Sequence, residues 1–286
     1  MSAVLDRARA LGATFSPALV EQSMALYAAI QPAVDEASVR RDVAYGPDPR
    51  HLANLFGGTA GGRAPIVVFL HGGGFVSGDR GTAGAPFYNN IGGWAAQQGW
   101  LGVVASYRLA PAHGWPAGAD DLARLVAWLA ENGADHGGDP DRIVLIGQSA
   151  GAAHVASFLA VHRQPTNLSS VILLSGLYDI ARAERNHFQE AYYGTDPARF
   201  PQQSSLDAIA RTTLPLLLTV AENDPPDFQR QAAWAVAARA EAQAAWPEFH
   251  RLAGHNHITP VLEIGSDEDE LGPILADFIR RTTGPG

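Results

Sequence analysis

Ser149 stands at the centre of the pentapeptide Gly147-Gln148-Ser149-Ala150-Gly151, between an apolar run at 143–146 and a helical pattern at 152–160. This order predicts a strand, a sharp turn and a helix, the context in which a serine acts as a nucleophile on a strained elbow. Glycines are needed two residues away on either side, because such a turn leaves little room for side chains there. The helix that follows directs its N-terminal amides at the hydroxyl, where negative charge develops during acyl transfer. The pattern therefore predicts Ser149 as a nucleophile.

A serine hydroxyl reacts when a base removes its proton and a third group fixes the tautomer of that base. Three carboxylates follow the apolar run at 214–220: Glu222, Asp224 and Asp227. They fall at the carboxyl end of a predicted parallel strand, where ligands bind in sheets of this kind. Pro225 holds Asp224 in an extended backbone, which directs that carboxylate inward. Glu222 is nearest the strand, and Asp227 is expected to begin the next helix as a surface or capping carboxylate.

Two histidines, His255 and His257, follow the predicted short strand at 249–252. A loop after a late strand is where a serine on such an elbow finds its base. Spacing alone does not decide between the two histidines. A pair with this spacing also binds metal ions, but no further clustered cysteine, histidine or carboxylate ligands accompany it. We therefore expect no metal site and no cofactor.

A glycine-rich turn, His71-Gly72-Gly73-Gly74, follows the apolar run at 66–70. Its glycines let backbone amides approach a substrate oxygen, so that together with the amide of Ala150 they form an oxyanion hole. A phosphate-binding loop would need either a lysine after a longer glycine motif or a different glycine spacing at the start of a helix, and the turn has neither. His71 itself is expected to hold the loop through hydrogen bonds rather than to act as a base.

The elements that must position these residues alternate between strands and helices. Apolar runs typical of buried strands and patterns typical of helices follow one another: strands at 66–70, 100–107, 142–146, 170–175, 214–220 and 249–252, helices at 120–131, 228–245 and 271–281. Such alternation predicts an α/β fold with a mostly parallel central sheet and helices on both of its faces. A hairpin is expected at 41–45 and 51–56, and a helix at 16–31 with Ser16 as its N-cap. The whole chain, 1–286, is expected to form a single domain.

A long connection between the strands at 170–175 and 214–220 interrupts this alternation. Long connections in small domains are usually functional, often as lids. We therefore expect residues 176–213, together with residues from about 1 to 40, to form a small cap over the site. Five aromatic residues are candidates for the walls of a substrate pocket, although interior packing explains each of them equally well: Phe75, Phe87, Tyr88, Phe188 and Tyr192.

The composition is that of a globular enzyme with an acidic surface. At 286 residues the chain can bury a full core, and 47% hydrophobic against 17% charged residues is typical of a folded domain. The formal net charge of −9 disfavours nucleic acid and anionic membranes as partners, and the absence of cysteine excludes disulfides and thiolate chemistry. The N-terminal residues lack the pattern of a signal peptide and no apolar run is long enough to span a bilayer, so we expect a soluble, cytoplasmic protein. The oligomeric state stays open, a homodimer being one alternative.

Three motifs occur along the chain: His71-Gly72-Gly73-Gly74; Tyr107-Arg108-Leu109-Ala110-Pro111 with Trp115-Pro116-Ala117 after it; and the pentapeptide around Ser149. In this order and at these spacings they resemble the hormone-sensitive-lipase-like carboxylesterases of the α/β-hydrolase fold. The resemblance extends from about residue 40 to the end of the chain. It implies a serine carboxylesterase that hydrolyses short- to medium-chain carboxylic esters through an acyl-enzyme intermediate.

The same resemblance implies roles for individual residues. The acid of that family lies in an Asp-Pro dipeptide, which matches Asp224. Its base follows a glycine by three positions and precedes the last helix, which matches His257 after Gly254. Its oxyanion donors match the amides of Gly73, Gly74 and Ala150.

Three positions depart from the pattern of the family. Gln148 replaces the usual aspartate before the nucleophile, Pro226 follows the Asp-Pro dipeptide in place of leucine, and Ile258-Thr259 follows the base in place of Gly-Phe. Relatives that resemble kynurenine formamidases share these features, so hydrolysis of a formamide by the same three residues is an alternative. A ligand-binding receptor on the same fold is a second alternative, which the presence of all three residues disfavours.

Overall fold

Eight strands form one sheet at the centre of the structure, a computed structural model that describes residues 3–58 and 62–284. The strands are β1 (Val39–Ala44), β2 (Leu52–Phe56), β3 (Ala64–Leu70), β4 (Leu101–Ala105), β5 (Gly138–Gln148), β6 (Leu168–Leu174), β7 (Leu216–Asn223) and β8 (Glu248–Asn256). Their order across the sheet is β1-β2-β4-β3-β5-β6-β7-β8. Strand β2 is antiparallel to both of its neighbours, and the remaining neighbouring pairs are parallel. The predicted hairpin and the mostly parallel sheet are therefore confirmed.

Helices cover both faces of this sheet, as the alternation predicts. They are α1 (Ala3–Ala10), α2 (Pro17–Ala28), α3 (Asn89–Gln97), α4 (Ala117–Asn132), α5 (Ala150–Val161), α6 (His187–Tyr193), α7 (Phe200–Gln203), α8 (Leu206–Arg211), α9 (Pro226–Gln243), α10 (Thr259–Glu263) and α11 (Leu271–Thr283). Ser16 caps α2 as expected, because its hydroxyl accepts a hydrogen bond from the amide of Leu19 at 3.2 Å. The sequence pattern does not predict α3, because Gly92 and Gly93 lower its helical propensity. The helix forms because packing of Trp94 on the sheet offsets that loss. Across residues 3–58 and 62–284, no helix is both long and apolar enough to cross a membrane.

Successive side chains of each central strand point to opposite faces of the sheet, so the interior is divided into two apolar cores. In β3, Ile66 and Val68 belong to the core that α4, α5, α8 and α9 cover, whereas Val67 and Phe69 belong to the core that α3 and α11 cover. All four side chains are at most 2% exposed. A continuous apolar run is thus what a strand covered on both faces requires. The two cores fix the sheet, and the carboxyl ends of its parallel strands meet at one edge.

The connection from β6 to β7 contains α6, α7 and α8 and is joined to the body through Tyr192. The hydroxyl of Tyr192 accepts a hydrogen bond from the amide of Gly118 at 3.2 Å and is hydrogen-bonded to Nδ1 of His154 at the same distance. Asp227 joins the same connection to α9, because its carboxylate accepts from the amide of Glu184 at 3.0 Å. Asp227 is only 4% exposed, and burial raises the pKa of its carboxyl. Asp227 lies in the first turn of α9 as expected, but it is buried and forms no side-chain cap, so the expected surface or capping role is wrong.

Helices α1 and α2 pack against β8 and α10 at the other side of the same edge. The amide Nδ2 of Asn256, the last residue of β8, donates to the hydroxyl of Ser23 at 3.0 Å, which fastens α2 to this strand end. The N-terminal segment therefore lies against the loop that carries His257. The assignment of 1–40 and 176–213 as a cap on a single domain stays a prediction.

Candidate active site

Ser149 occupies the sharp turn between β5 and α5, with φ 54° and ψ −115°. A positive φ is strained for a residue with a side chain, and such strain concentrates at functional sites. The amide of Ser149 donates to the carbonyl of Leu174 at 2.9 Å, which anchors the turn to β6. A Cβ on Gly147 would overlap the backbone of Gly151, and a Cβ on Gly151 would overlap the carbonyl of Leu70. Both positions therefore require glycine, as the sequence pattern predicts.

A continuous chain of hydrogen bonds joins Ser149, His257 and Asp224. The Nδ1 atom of His257 lies 2.5 Å from Oδ1 of Asp224, and its Nε2 atom lies 2.8 Å from Oγ of Ser149. A carboxylate only accepts hydrogen bonds, so Nδ1 carries the proton and Nε2 is left to accept the serine hydroxyl. None of the three residues is more than 9% exposed. The arrangement matches a nucleophile, a base and a group that orients the base.

Glu222, the carboxylate nearest to the strand, lies away from this chain of hydrogen bonds. It accepts from the amide of Gly254 at 2.6 Å and pairs with Arg251 at 3.2 Å. The bond from Gly254 and the guanidinium of Arg251 lower the pKa of Glu222. Of the three candidate carboxylates, the structure brings Asp224 to the histidine.

Ser175, which the sequence analysis did not identify, supports Asp224 from behind. Its hydroxyl donates to Oδ2 of Asp224 at 2.6 Å, and the amide of Ala221 donates to the same oxygen at 2.7 Å. These two bonds occupy Oδ2 and leave Oδ1 for His257. Ser175 directly follows β6, whose Leu174 pairs with Thr219 of β7, so it lies at the same edge of the sheet as the residues after β7 that include Asp224.

His255 is completely buried, and its ring contacts residues other than Ser149 and Asp224. Its Nδ1 lies 3.0 Å from Oγ1 of Thr259, and its Nε2 lies 3.4 Å from Oε2 of Glu263. Burial lowers the pKa of His255 to about 4 and raises the pKa of Glu263 to about 9, so both groups are uncharged at neutral pH. Of the two histidines that spacing could not separate, His257 is the one that reaches the serine.

The glycine-rich turn after β3 curls over the serine in a left-handed conformation. Gly73, Gly74 and Phe75 have φ values of 127°, 60° and 70°. The carbonyl of Gly73 accepts from the amide of Ser77 at 3.1 Å and from its hydroxyl at 2.9 Å, which closes the turn. In the described part of the chain, the amides of Gly73, Gly74 and Ala150 donate to no protein acceptor. Three backbone donors therefore remain without a protein acceptor, two in the glycine-rich turn and one in the residue that follows Ser149.

His71 holds this turn as the sequence suggests. Its Nδ1–H donates to the carbonyl of Gly72 at 2.6 Å, and the hydroxyl of Tyr107 donates to the carbonyl of His71 at 2.7 Å. The imidazole stacks on the Tyr107 ring with centroids 4.4 Å apart. Burial lowers the pKa of His71 to about 4, so the ring is neutral at physiological pH. A neutral, enclosed imidazole fits a structural role rather than that of a base.

The five aromatic residues singled out as pocket walls divide into two groups. Phe75 and Tyr192 stack face to face with centroids 4.5 Å apart, and both are buried, as is Phe87 beside α2. Phe188 and Tyr88 are partly exposed, and the ring of Phe188 lies directly against Gly74. A wall role for these five residues stays a prediction, and the ring of Phe188 contacts the glycine-rich turn.

Two further aromatic rings, from Phe15 and Phe228, flank the imidazole of His257. Phe15 lies between α1 and α2, is 47% exposed and meets the imidazole edge-on with centroids 5.2 Å apart. Phe228 lies in the first turn of α9, with centroids 4.2 Å apart. Nothing in the sequence signals Phe15, because its position depends on how the N-terminal segment folds over β8.

Comparison with known proteins agrees with this fold. A family model described as alpha/beta hydrolase fold matches residues 67–260. The esterase LipQ of Mycobacterium tuberculosis (strain ATCC 25618 / H37Rv) is 29% identical over 246 residues, which are 77% of this chain and 57% of that protein. The carboxylesterase NlhH of the same strain is 42% identical over 87 residues, which are 30% of this chain and 26% of that protein. The chain thus spans little more than half the length of LipQ.

The overall fold also has a counterpart among solved structures. A hyperthermophilic esterase from the archaeon Pyrobaculum calidifontis superposes with a TM-score of 0.76 at 21% sequence identity. The superposition covers 98% of both chains. At this identity the likeness concerns the fold, including the sheet that carries the site.

Proposed function

The chain belongs to the α/β-hydrolase fold family, and we propose that it is a serine carboxylesterase acting on short- to medium-chain carboxylic esters. The observation that carries this proposal is the hydrogen-bonded series Ser149–His257–Asp224 beside three unpartnered backbone amides. Esterase and carboxylesterase are also the names of LipQ and NlhH, the relatives that the chain resembles.

The proposed reaction is a two-step acyl transfer. Oγ of Ser149 attacks the ester carbonyl while Nε2 of His257 takes the hydroxyl proton, and Asp224 stabilises the resulting imidazolium. The tetrahedral intermediate collapses as His257 returns the proton to the leaving alcohol, which leaves the acyl group on Ser149. A water molecule then attacks this acyl-enzyme with His257 again as base, and the carboxylic acid leaves.

The amides of Gly73, Gly74 and Ala150 are the proposed donors to the oxyanion. They come from two elements, the glycine-rich turn and the start of α5. Removal of one such donor costs about 3 kcal/mol of transition-state stabilisation in comparable enzymes. Three fixed donors therefore supply an effect large enough to account for much of the catalysis.

The aromatic surroundings of the site favour an uncharged substrate. Phe15 and Phe228 flank His257, and Phe188 lies against Gly74. An acyl chain or alcohol group that covers these rings removes apolar surface from water, whereas a charged group there would lose hydration without gaining a partner.

Hydrolysis of p-nitrophenyl butyrate tests the proposal. The Ser149→Ala variant is expected to lose at least about 10⁴-fold in kcat/KM while its melting temperature stays within a few degrees of the wild type. Ser157→Ala is a matched control, because Ser157 is also buried and lies further along the same helix. Retained turnover in Ser149→Ala, or an equal loss in Ser157→Ala, would contradict the assigned nucleophile.

Substrate range is tested by a panel of p-nitrophenyl esters from acetate to decanoate, run beside N-formylkynurenine. The ester proposal predicts the highest kcat/KM on a short or medium acyl chain. A higher kcat/KM on the formamide would favour the alternative of a formamide hydrolase, which the departures from the family pattern at Gln148 and Pro226 suggest. Binding of these compounds without turnover would favour a receptor.

A further inference from the structure

Gln148, the residue before the nucleophile, contacts the backbone of the proposed base. Its Nε2 donates a hydrogen bond to the carbonyl oxygen of His257 at 3.1 Å. The side chain is only 2% exposed, so water does not compete freely for this bond. On the basis of the proposed function, we infer that Gln148 is a positioning residue that holds His257 at the correct distance from Ser149.

Gln148 is also enclosed by the glycine-rich turn. A Cβ on Gly72 would overlap Oε1 of Gln148, so the absence of a side chain at Gly72 makes room for the amide. One side chain thus touches the turn that carries the proposed oxyanion donors and the loop that carries the proposed base. It extends directly from the strand that ends in the nucleophile.

The contact needs a hydrogen-bond donor at the end of the side chain. A carbonyl oxygen only accepts, and an ionised carboxylate has no proton to donate, so it would bring two acceptors face to face in a buried site. Aspartate, the residue usual at this position in the family that the chain resembles, cannot make this bond in its ionised form. Gln148 therefore supplies a neutral donor and keeps negative charge away from the oxyanion.

Loss of this bond is expected to affect the chemical steps rather than substrate binding. His257 moves a proton in both acylation and deacylation, so a displaced imidazole slows both steps. The side chain of Gln148 is buried behind the serine, and its loss removes no surface that a substrate would cover. We expect a lower kcat with KM nearly unchanged.

The test uses Gln148→Glu and measures kcat relative to the wild type across the pH range in which both are folded. A protonated glutamic acid can donate its O–H to the carbonyl of His257, whereas the ionised form cannot. The ratio of variant kcat to wild-type kcat is therefore expected to fall as pH rises, by about tenfold or more. A ratio that rises with pH would instead mean that the new charge acts on His257 through space, and it would overturn the inference.

Gln203→Glu provides the matched control. Gln203 is 3% exposed, and its Nε2 also donates to a backbone carbonyl, that of Tyr193, at 3.1 Å. Gln203→Glu therefore introduces a carboxyl group into a buried hydrogen bond that does not involve His257. The ratio of Gln203→Glu kcat to wild-type kcat is expected to be independent of pH. If this ratio fell with pH as it does in Gln148→Glu, the fall would reflect general destabilisation by a buried carboxylate, and the inference would be overturned.

A second variant, Gln148→Met, tests the inference even if Gln148→Glu does not fold. Methionine has a similar shape, no donor and no charge, so kcat is expected to fall by about tenfold at every pH with KM unchanged. Wild-type kcat in Gln148→Met would overturn the inference while leaving the proposed function intact. Absence of ester hydrolysis in the wild type would overturn both, since there would be no reaction for Gln148 to serve.

Discussion

His255 and His257 are two residues apart, yet they lie in opposite environments. His257 is held between the hydroxyl of Ser149 and the carboxylate of Asp224, at the edge of the sheet. His255 is fully buried between Thr259 and Glu263, and burial lowers its pKa to about 4. The comparison teaches that the partners of a histidine, rather than its place in a motif, decide whether it can act as a base.

Asn256 separates the two environments. It ends β8, and its Oδ1 accepts hydrogen bonds from the amides of Ile258 and Thr259 at 3.2 and 3.3 Å. These bonds form a turn at the end of β8, so that His255 lies in the strand and His257 lies in the turn that follows it. The bond from Asn256 to Ser23 fixes the turn against α2.

The largest expected effect comes from exchanging each histidine for alanine. His257→Ala removes the proposed base and should lower kcat on p-nitrophenyl butyrate by on the order of 10⁶-fold, with the melting temperature nearly unchanged. His255→Ala should keep kcat within about tenfold of the wild type and lower the free energy of unfolding by about 2–4 kcal/mol, because it leaves a cavity beside Glu263. Steady-state kinetics and denaturant unfolding measure the two quantities. Equal losses of activity would contradict the contrast between the histidines.

The next effect concerns the carboxylate that orients His257. Asp224→Asn leaves the shape intact but removes the acceptor that fixes the Nδ1 proton, and kcat should fall by about 10⁴-fold. Glu222→Gln is the control, because Glu222 lies on the same strand end and bonds to Gly254 instead. The control should keep nearly full activity in the same kinetic measurement. A large loss in Glu222→Gln would point to the wrong carboxylate.

The protonation of Glu263, which lies beside His255, is expected to make the free energy of unfolding depend on pH. Burial, with a smaller contribution from Asp269, raises the pKa of Glu263 to about 9 in the folded protein, against about 4.3 in the unfolded chain. The Glu263 carboxyl therefore takes up a proton on folding between these values. Its own contribution to the free energy of unfolding decreases by up to about 1.4 kcal/mol for each pH unit as the pH rises across that window.

Glu263→Gln imitates the protonated side chain and removes this pH dependence. Its melting temperature should match the wild type near about pH 4.5 and exceed it progressively toward about pH 8, by on the order of 3 °C per pH unit. Differential scanning calorimetry at several pH values measures the difference. A constant difference between variant and wild type would mean that Glu263 is ionised in the folded state.

The smallest expected effect concerns Phe15, the partly exposed ring that lies against His257. Phe15→Ala removes a ring that lies against the imidazole, and KM for apolar esters should rise roughly two- to fivefold with kcat little changed. Trp246→Ala is the control, since Trp246 is the most exposed large apolar residue in the described part of the chain, at 73%. An unchanged KM in Phe15→Ala would remove Phe15 from the substrate surface.

The central sheet and the strained serine could be predicted from sequence because each rests on local rules. The apolar run at β3 and the glycines beside Ser149 are consequences of burial on two faces and of close backbone approach. The choice of Asp224 over Glu222 followed from the resemblance and from the proline after it. Residue spacing alone left the choice between the histidines open, and the resemblance indicated His257. The physical cause of that choice, the turn at Asn256, depends on hydrogen bonds within the fold around it.

The surroundings of the site could not be predicted, because they come from segments distant along the chain. Phe15 reaches His257 only because α1 and α2 pack against β8. The rings of Phe75 and Tyr192 stack on each other in the interior, a contact between distant segments that no local pattern indicates. Asp227 was expected at the surface and is buried by the connection that holds Glu184. Sequence pattern reports which faces are apolar, and it does not report which distant segment covers them.

Covalent labelling of the nucleophile tests the central claim most directly. Rapid acid quenching during hydrolysis of p-nitrophenyl butyrate, followed by tryptic digestion, should trap one butyryl group per chain on the peptide 143–163, with fragmentation assigning it to Ser149 rather than Ser157. The butyryl adduct should be absent in Ser149→Ala. An adduct that forms in His257→Ala should persist longer than in the wild type, because the base needed for its hydrolysis is missing. A butyryl group on another residue, or hydrolysis by Ser149→Ala at the wild-type rate, would contradict the account.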